Sequence, residues 1–113
     1  NLLAGTVAGA MVTVEGSGFE LTTTSDLVGP VHAVIDPRAV ALYRDPPDGS
    51  PRNTWPATVE WVEPIGRITR VRLDGPLPLH ADITPSAAEG LGLGPGTPVW
   101  AAVKATEISV QAR

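Results

Sequence analysis

The chain has 113 residues, 42% of them hydrophobic, and a formal net charge of -4. That length fits one ordinary domain or two very small ones. The absence of cysteine excludes disulfides and thiolate metal sites, the mild acidity argues against a nucleic-acid surface, and no run approaches the roughly 18 apolar residues of a membrane span. His32 and His80 stand far apart in sequence, so no metal site is expected. Glycine and proline, 12 of each, are scattered rather than clustered. Such spacing punctuates many short elements and predicts an all-β fold.

In chain order, the mixed apolar start from Asn1 to Val7 leads into a strand around Val12, Thr13 and Val14, closed by a turn at Gly16-Ser17-Gly18. Phe19, Leu21 and Thr23 form one face of a second strand. A loop from Ser25 ends at Gly29-Pro30. Val31 to Ile35 is a strand that Asp36-Pro37-Arg38 interrupts and Val40-Ala41-Leu42 resumes. Asp45-Pro46-Pro47-Asp48-Gly49-Ser50-Pro51 is the strongest linker signal and marks a boundary. Beyond it, Ala57, Val59 and Trp61 alternate with Thr58, Glu60 and Val62. In the next strand Val71 and Leu73 face in, while Arg70 and Arg72 face out. Leu77, Leu79, Ala81 and Ile83 follow. Thr84-Pro85 then opens a short helix, capped either by Thr84 or by a Ser86/Glu89 box. The start at Asn1, without a charged leader, reads as a piece of a longer chain.

Residues 99–110 close the chain with a fault. Val99, Ala101 and Val103 alternate on one parity, Ile108 and Val110 on the other. A strand that switches its buried face needs an extra residue, so a β-bulge is expected at Lys104-Ala105-Thr106. Freed backbone N–H groups there could form an anion-binding nest around the only lysine of the chain. The same pattern occurs at residues 31–42, which align without gaps onto 99–110. The starts match too, Asn1 with Asn53. Two barrel-like modules of about five strands each are therefore expected, 1–47 and 48–113, the second with one short helix. The first carries an acid, Asp36, where the second carries Lys104.

Ser50-Pro51-Arg52-Asn53, Ile83-Thr84, Leu91-Gly92-Leu93, Pro95-Gly96 and Val103-Lys104-Ala105-Thr106-Glu107 together resemble the molybdate-binding Mop domain. With Gly29-Pro30-Val31 and Pro37-Arg38-Ala39-Val40 in the first copy, the arrangement is similar to the C-terminal TOBE-class domain of molybdate ABC-importer ATPases. The resemblance implies two OB-like barrels and a molybdate or tungstate oxyanion at a subunit interface. It implies ligands at Ser50, Arg52, Thr84, Lys104, Ala105 and Thr106. Two positions depart from the family: Ala87 stands where a serine is common, and Pro51 lies inside the Ser-x-Arg motif. The implied partners are a second copy, a nucleotide-binding domain of the same chain, and indirectly a membrane permease. The implied location is cytoplasmic, against the inner face of the cell membrane. ATP would bind only in that other domain.

A tetrahedral dianion needs offsetting charge and several donors. Arg52 offers a fork, Lys104 a point charge, and Ser50, Thr84 and Thr106 offer hydroxyls. No catalytic residue is assigned. Gly90-Leu91-Gly92-Leu93-Gly94-Pro95-Gly96 is no phosphate loop, because it follows a helix and no Gly-Lys-Ser/Thr comes after it. Each candidate also has a plain alternative. Lys104 could guard a strand edge, Arg52 could be a solvated residue after a linker, and Thr84 could simply cap. A structural dimerisation domain with a vestigial pocket is the competing reading of the whole.

Overall fold

The computed structural model describes residues 1–48 and 52–113. Among them, ten strands form two five-stranded antiparallel sheets. The first sheet holds β1 (Leu2–Ala8), β2 (Met11–Val14), β3 (Glu20–Thr22) and β4 (Gly29–Ile35). The second holds β5 (Ala41–Tyr43), β6 (Arg52–Ile65), β7 (Ile68–Asp74), β8 (His80–Ile83) and β9 (Pro98–Lys104). The last strand, β10 (Ile108–Ala112), returns to the first sheet, giving the orders β10-β4-β1-β2-β3 and β5-β9-β6-β7-β8. The fold is all-β, with two OB-like modules of the same strand order. β8 packs against β5, which curls the second sheet toward closure.

The strands follow their sequence pattern. Leu3 and Val7 of β1, Val12 and Val14 of β2, and Val31, Ala33 and Ile35 of β4 are buried, while their neighbours lie partly or fully outside. Inward alternation of this kind is what stabilises a half-buried sheet. Gly5 sits where β1 and β2 approach closely: a Cβ there would lie 2.6 Å from the Thr13 carbonyl oxygen. Trp55 is 1% exposed and meets Phe19 edge-to-face, with ring centroids 5.6 Å apart. That contact joins the second module's core to the first.

The expected bulge at Lys104-Ala105-Thr106 is not present. In its place a single 3-10 turn, Ala105–Glu107, carries the chain from one sheet to the other. The first copy does the same through Pro37–Ala39. A bulge would shift parity against an unchanged partner strand. Here the partner changes: β9 lies between β5 and β6, and β10 lies beside β4. The parity flip in the sequence therefore records a change of sheet. The repeat alignment holds at the backbone, since both turns begin and end at matched positions. Asp36 (φ -61, ψ 132) matches Lys104 (φ -71, ψ 143), and Val40 (φ -85, ψ 113) matches Ile108 (φ -101, ψ 117). A true irregularity occurs in β6 between Val59 and Trp61, so that Val62 rather than Trp61 lies opposite buried Val71. That shift was not expected from the alternation of residues 57–62.

Each module also clamps the other with an asparagine at the aligned start. Asn1 Nδ2 donates to the Ile35 and His80 carbonyls at 3.1 and 2.9 Å, and the His80 N–H donates to Asn1 Oδ1 at 2.8 Å. Asn53 Nδ2 donates to the Val103 and Thr22 carbonyls at 3.4 and 2.9 Å, and the Thr22 N–H donates to Asn53 Oδ1 at 2.7 Å. In both cases the amide side chain supplies an outer strand with the backbone partners it lacks.

The α-helix, α1 (Pro85–Leu91), follows β8. Thr84 caps it by accepting from the Ala87 N–H at 3.0 Å, with Pro85 at the first position. This is the first of the two caps expected from sequence. Gly92 ends the helix at φ 63, a conformation that favours glycine.

Candidate functional site

The two crossover turns lie side by side. Ala41 pairs with Ala102, so the turn just before β5 abuts the end of β9. A cleft of about 450 Å³ opens there, lined on one side by Asp36, Arg38, Ala39, Ala41 and Tyr43, and on the other by Ala102, Val103, Lys104 and Glu107. Its floor is small and apolar, because Ala41 and Ala102 are cross-strand partners. Its rim carries the charge.

Of the expected ligands, Lys104 lines this cleft with an exposed side chain. Arg52 opens β6 directly opposite Lys104 in the β6–β9 register. Ala105 follows at once and is 5% exposed, so its methyl group belongs to the core and only its backbone could meet a ligand. Thr106 is exposed but does not line the cleft. Thr84 stands after β8, which packs against the first turn and β5, but it too is absent from the cleft wall. Its hydroxyl oxygen already accepts the cap bond and retains a proton to donate. Ser50 and Pro51 lie outside the described residues.

The two turns differ in how they are capped. In the first, Asp36 Oδ1 accepts from the Arg38 backbone N–H at 2.8 Å. The same carboxylate takes the Arg38 guanidinium, Nε at 3.3 Å and Nη2 at 3.0 Å. These bonds hold the Asp36 carboxyl below its ordinary value and raise the Arg38 guanidinium. In the second turn Lys104 makes no side-chain cap bond, so no side chain from the cap position occupies the place Asp36 fills in the first.

Arg38, Asp36, Tyr43 and Glu107 were not singled out as site residues from sequence. The signal was available for two of them: the gap-free repeat placed Asp36 on Lys104 and Arg38 on Thr106. Arg70 and Arg72, expected as a solvated face, each meet an acid. Arg70 forms a two-pronged bridge to Asp82 at 2.8 and 2.9 Å, and Arg72 approaches Glu60 at 3.8 Å. Asp82, 8% exposed at its side chain, is held below its ordinary value by Arg70. Burial, then Arg72 and Arg70, push His80 down from 6.5. Among the described residues, no cluster of histidine and carboxylates could hold a metal ion, and no helix is long and apolar enough to cross a membrane.

Residues 49–110 match the family model of the TOBE domain. The molybdenum import ATP-binding protein ModC of Mycobacterium tuberculosis is 40% identical over 118 residues, covering 97% of this chain and 32% of that protein. The molybdate/tungstate import ATP-binding protein WtpC of Pyrococcus abyssi is 31% identical over 111 residues, again 97% and 32%. The chain thus spans about a third of the length of the curated relatives it matches. Among solved structures, the cytoplasmic molybdate-binding protein ModG, with molybdate bound, superposes with a TM-score of 0.84 at 26% identity, covering 100% of this chain and 96% of that one.

Proposed function

The chain belongs to the TOBE domain family, and from that premise we propose that it is the oxyanion-binding regulatory part of a molybdate or tungstate importer's ATPase subunit. The observation that carries this reading is the pairing of Arg52 with Lys104 across β6 and β9, beside a turn whose cap position offers no acceptor of its own. The second turn adds backbone N–H groups from Ala105 and Thr106. Charge-assisted bonds of this kind contribute about 1.5–3 kcal/mol each before desolvation.

Thr84 does not line the Lys104 cleft within one chain. In this reading the anion draws Lys104 and Thr84 from two copies, and the binding unit is a homodimer. In the cell, the domain would sit on the cytoplasmic side beside the nucleotide-binding domain of its own chain and, through it, the permease. Bound oxyanion would favour the transport-incompetent arrangement of two such subunits, provided it binds that arrangement more tightly than the other. ATP chemistry would belong to the nucleotide-binding domain, and no residue of this chain is given a catalytic role.

Calorimetry with molybdate, with sulfate as comparator, tests the reading. Molybdate should bind and Lys104→Ala should weaken it at least about tenfold, the loss of one charged hydrogen bond. Unchanged affinity in that variant removes Lys104 from the site. A second reading, a structural dimerisation domain with a vestigial pocket, draws support from Asp36 and Glu107 on the cleft rim and from Ala87 where a serine is common. Light scattering that finds a dimer, together with no heat at millimolar molybdate, would select it.

A further inference from the structure

The cleft holds two cations, Lys104 and Arg38, that belong to different modules. The Ala41–Ala102 pairing sets their turns side by side. Lys104 has no salt bridge among the described residues, whereas Arg38 is engaged by Asp36 through Nε and Nη2, one edge of its guanidinium. That bond lies in solvent: the Arg38 side chain is 77% exposed and that of Asp36 is 51% exposed. An ion pair so exposed is weak and readily exchanged for a better acceptor.

We propose that Arg38 is a second cationic contact for an oxyanion in the crossover cleft, and that Asp36 is a tethered carboxylate that competes with the ligand for it. This rests on the oxyanion reading of Lys104 and adds a residue from the first module to that site. The repeat supplies an independent argument. Asp36 occupies, by backbone position and dihedral angles, the place that Lys104 takes in the second turn. Its carboxylate bridges the turn's N–H and a neighbouring cation, as an external anion at the second turn would. The first module thus carries its own anion.

Displacement makes the cleft selective. A tetrahedral dianion presents two oxygens to the fork and a full second charge to Lys104, so it replaces what Asp36 gave and adds to it. A monoanion such as perrhenate offers the fork less than the carboxylate already does. Glu107, the other acid on the cleft rim, opposes both kinds of anion and raises the threshold further.

The test is a double-mutant cycle on the whole chain, read by calorimetry with molybdate and with perrhenate. Asp36→Asn keeps the cap, because asparagine caps as well as aspartate. It should tighten molybdate about threefold, the worth of an exposed pair, and perrhenate by more. Arg38→Gln should weaken molybdate about tenfold. In the Arg38→Gln background, Asp36→Asn should have no further effect, since the competition it relieves is gone. Circular dichroism of each variant should match the unmodified chain. An Arg38→Gln variant that binds like the unmodified chain overturns the proposal, as does an Asp36→Asn gain that survives intact without Arg38. If Lys104→Ala loses binding while both of these variants leave it unchanged, this inference falls and the oxyanion site stands. If neither the unmodified chain nor Asp36→Asn binds molybdate, the oxyanion reading and this inference fall together.

Discussion

Residues 29–43 and 98–112 trace one path twice: a strand, a single 3-10 turn, and a strand laid into the opposite sheet. Their inward positions agree, with Val31, Ala33, Ile35 and Val40 buried in one copy and Val99, Ala101, Val103 and Ile108 in the other. Their outward positions do not: Asp36 and Arg38 face Lys104 and Thr106 across the repeat. The crossover is therefore set by core packing, and the charge of each turn is free to vary on it. One copy fills its cap with its own carboxylate, and the other makes no side-chain cap bond.

The largest expected break in this equivalence is at the asparagine clamps. Asn53 is 8% exposed and Asn1 is half-buried, although their bonds are equivalent. Asn53→Ala should cost about 3 kcal/mol in urea denaturation, because it strands the buried Val103 carbonyl as well as two part-buried groups of Thr22, and Asn1→Ala about 1 kcal/mol, because its bonds are all part-buried and water can replace them. Equal costs would show that burial does not distinguish the clamps.

Next comes Gly5, whose counterpart under the same start alignment is Ala57. Gly5→Ala should destabilise by about 2 kcal/mol, because the added methyl meets the Thr13 carbonyl and Val12. Ala57→Gly removes a methyl group that the second module accommodates and should cost only about 1 kcal/mol. A tolerated Gly5→Ala would mean that β1 and β2 can move apart.

The smallest effect is on pH dependence. His80 meets the Asn1 clamp, and Thr22, which does not titrate in this range, meets the Asn53 clamp. The His80 imidazole is harder to protonate in the fold than in the unfolded chain. Stability should therefore fall as pH drops through 6.5, while the unfolded state gains the proton first. His80→Gln should flatten thermal midpoints between about pH 7 and 5. Asp82 acts further down: its lowered value gives stability that is present above 3.8 and is lost as pH falls through the folded value.

Much of this was legible in the chain. Alternation located most of the strands, Thr84-Pro85 located the helix, and the aligned parity flips located both crossovers. What those flips meant was not legible, because local alternation reports which face is buried and says nothing of which strand lies alongside. The same limit hid the irregularity in β6, where the residues on either side of Glu60 alternate smoothly. The clamps were half visible, in the matched Asn1 and Asn53, but their partners lie 79 and 31 residues away. Of the proposed anion contacts, Arg52 and Lys104 could be named from their motifs. Arg38 was visible only through its alignment with Thr106, and the acid at position 36 made the first turn look closed to anions.

The exchange of last strands has a consequence for the chain as a polymer. β5 completes the sheet built by the later residues, and β10 completes the one built by the earlier residues. Cut at the connection between them, 1–47 and 48–113 are complementary pieces, each carrying the strand the other is missing. Mixed in solution, they should reassemble as a split protein does, and either piece alone should present an open edge that invites another chain.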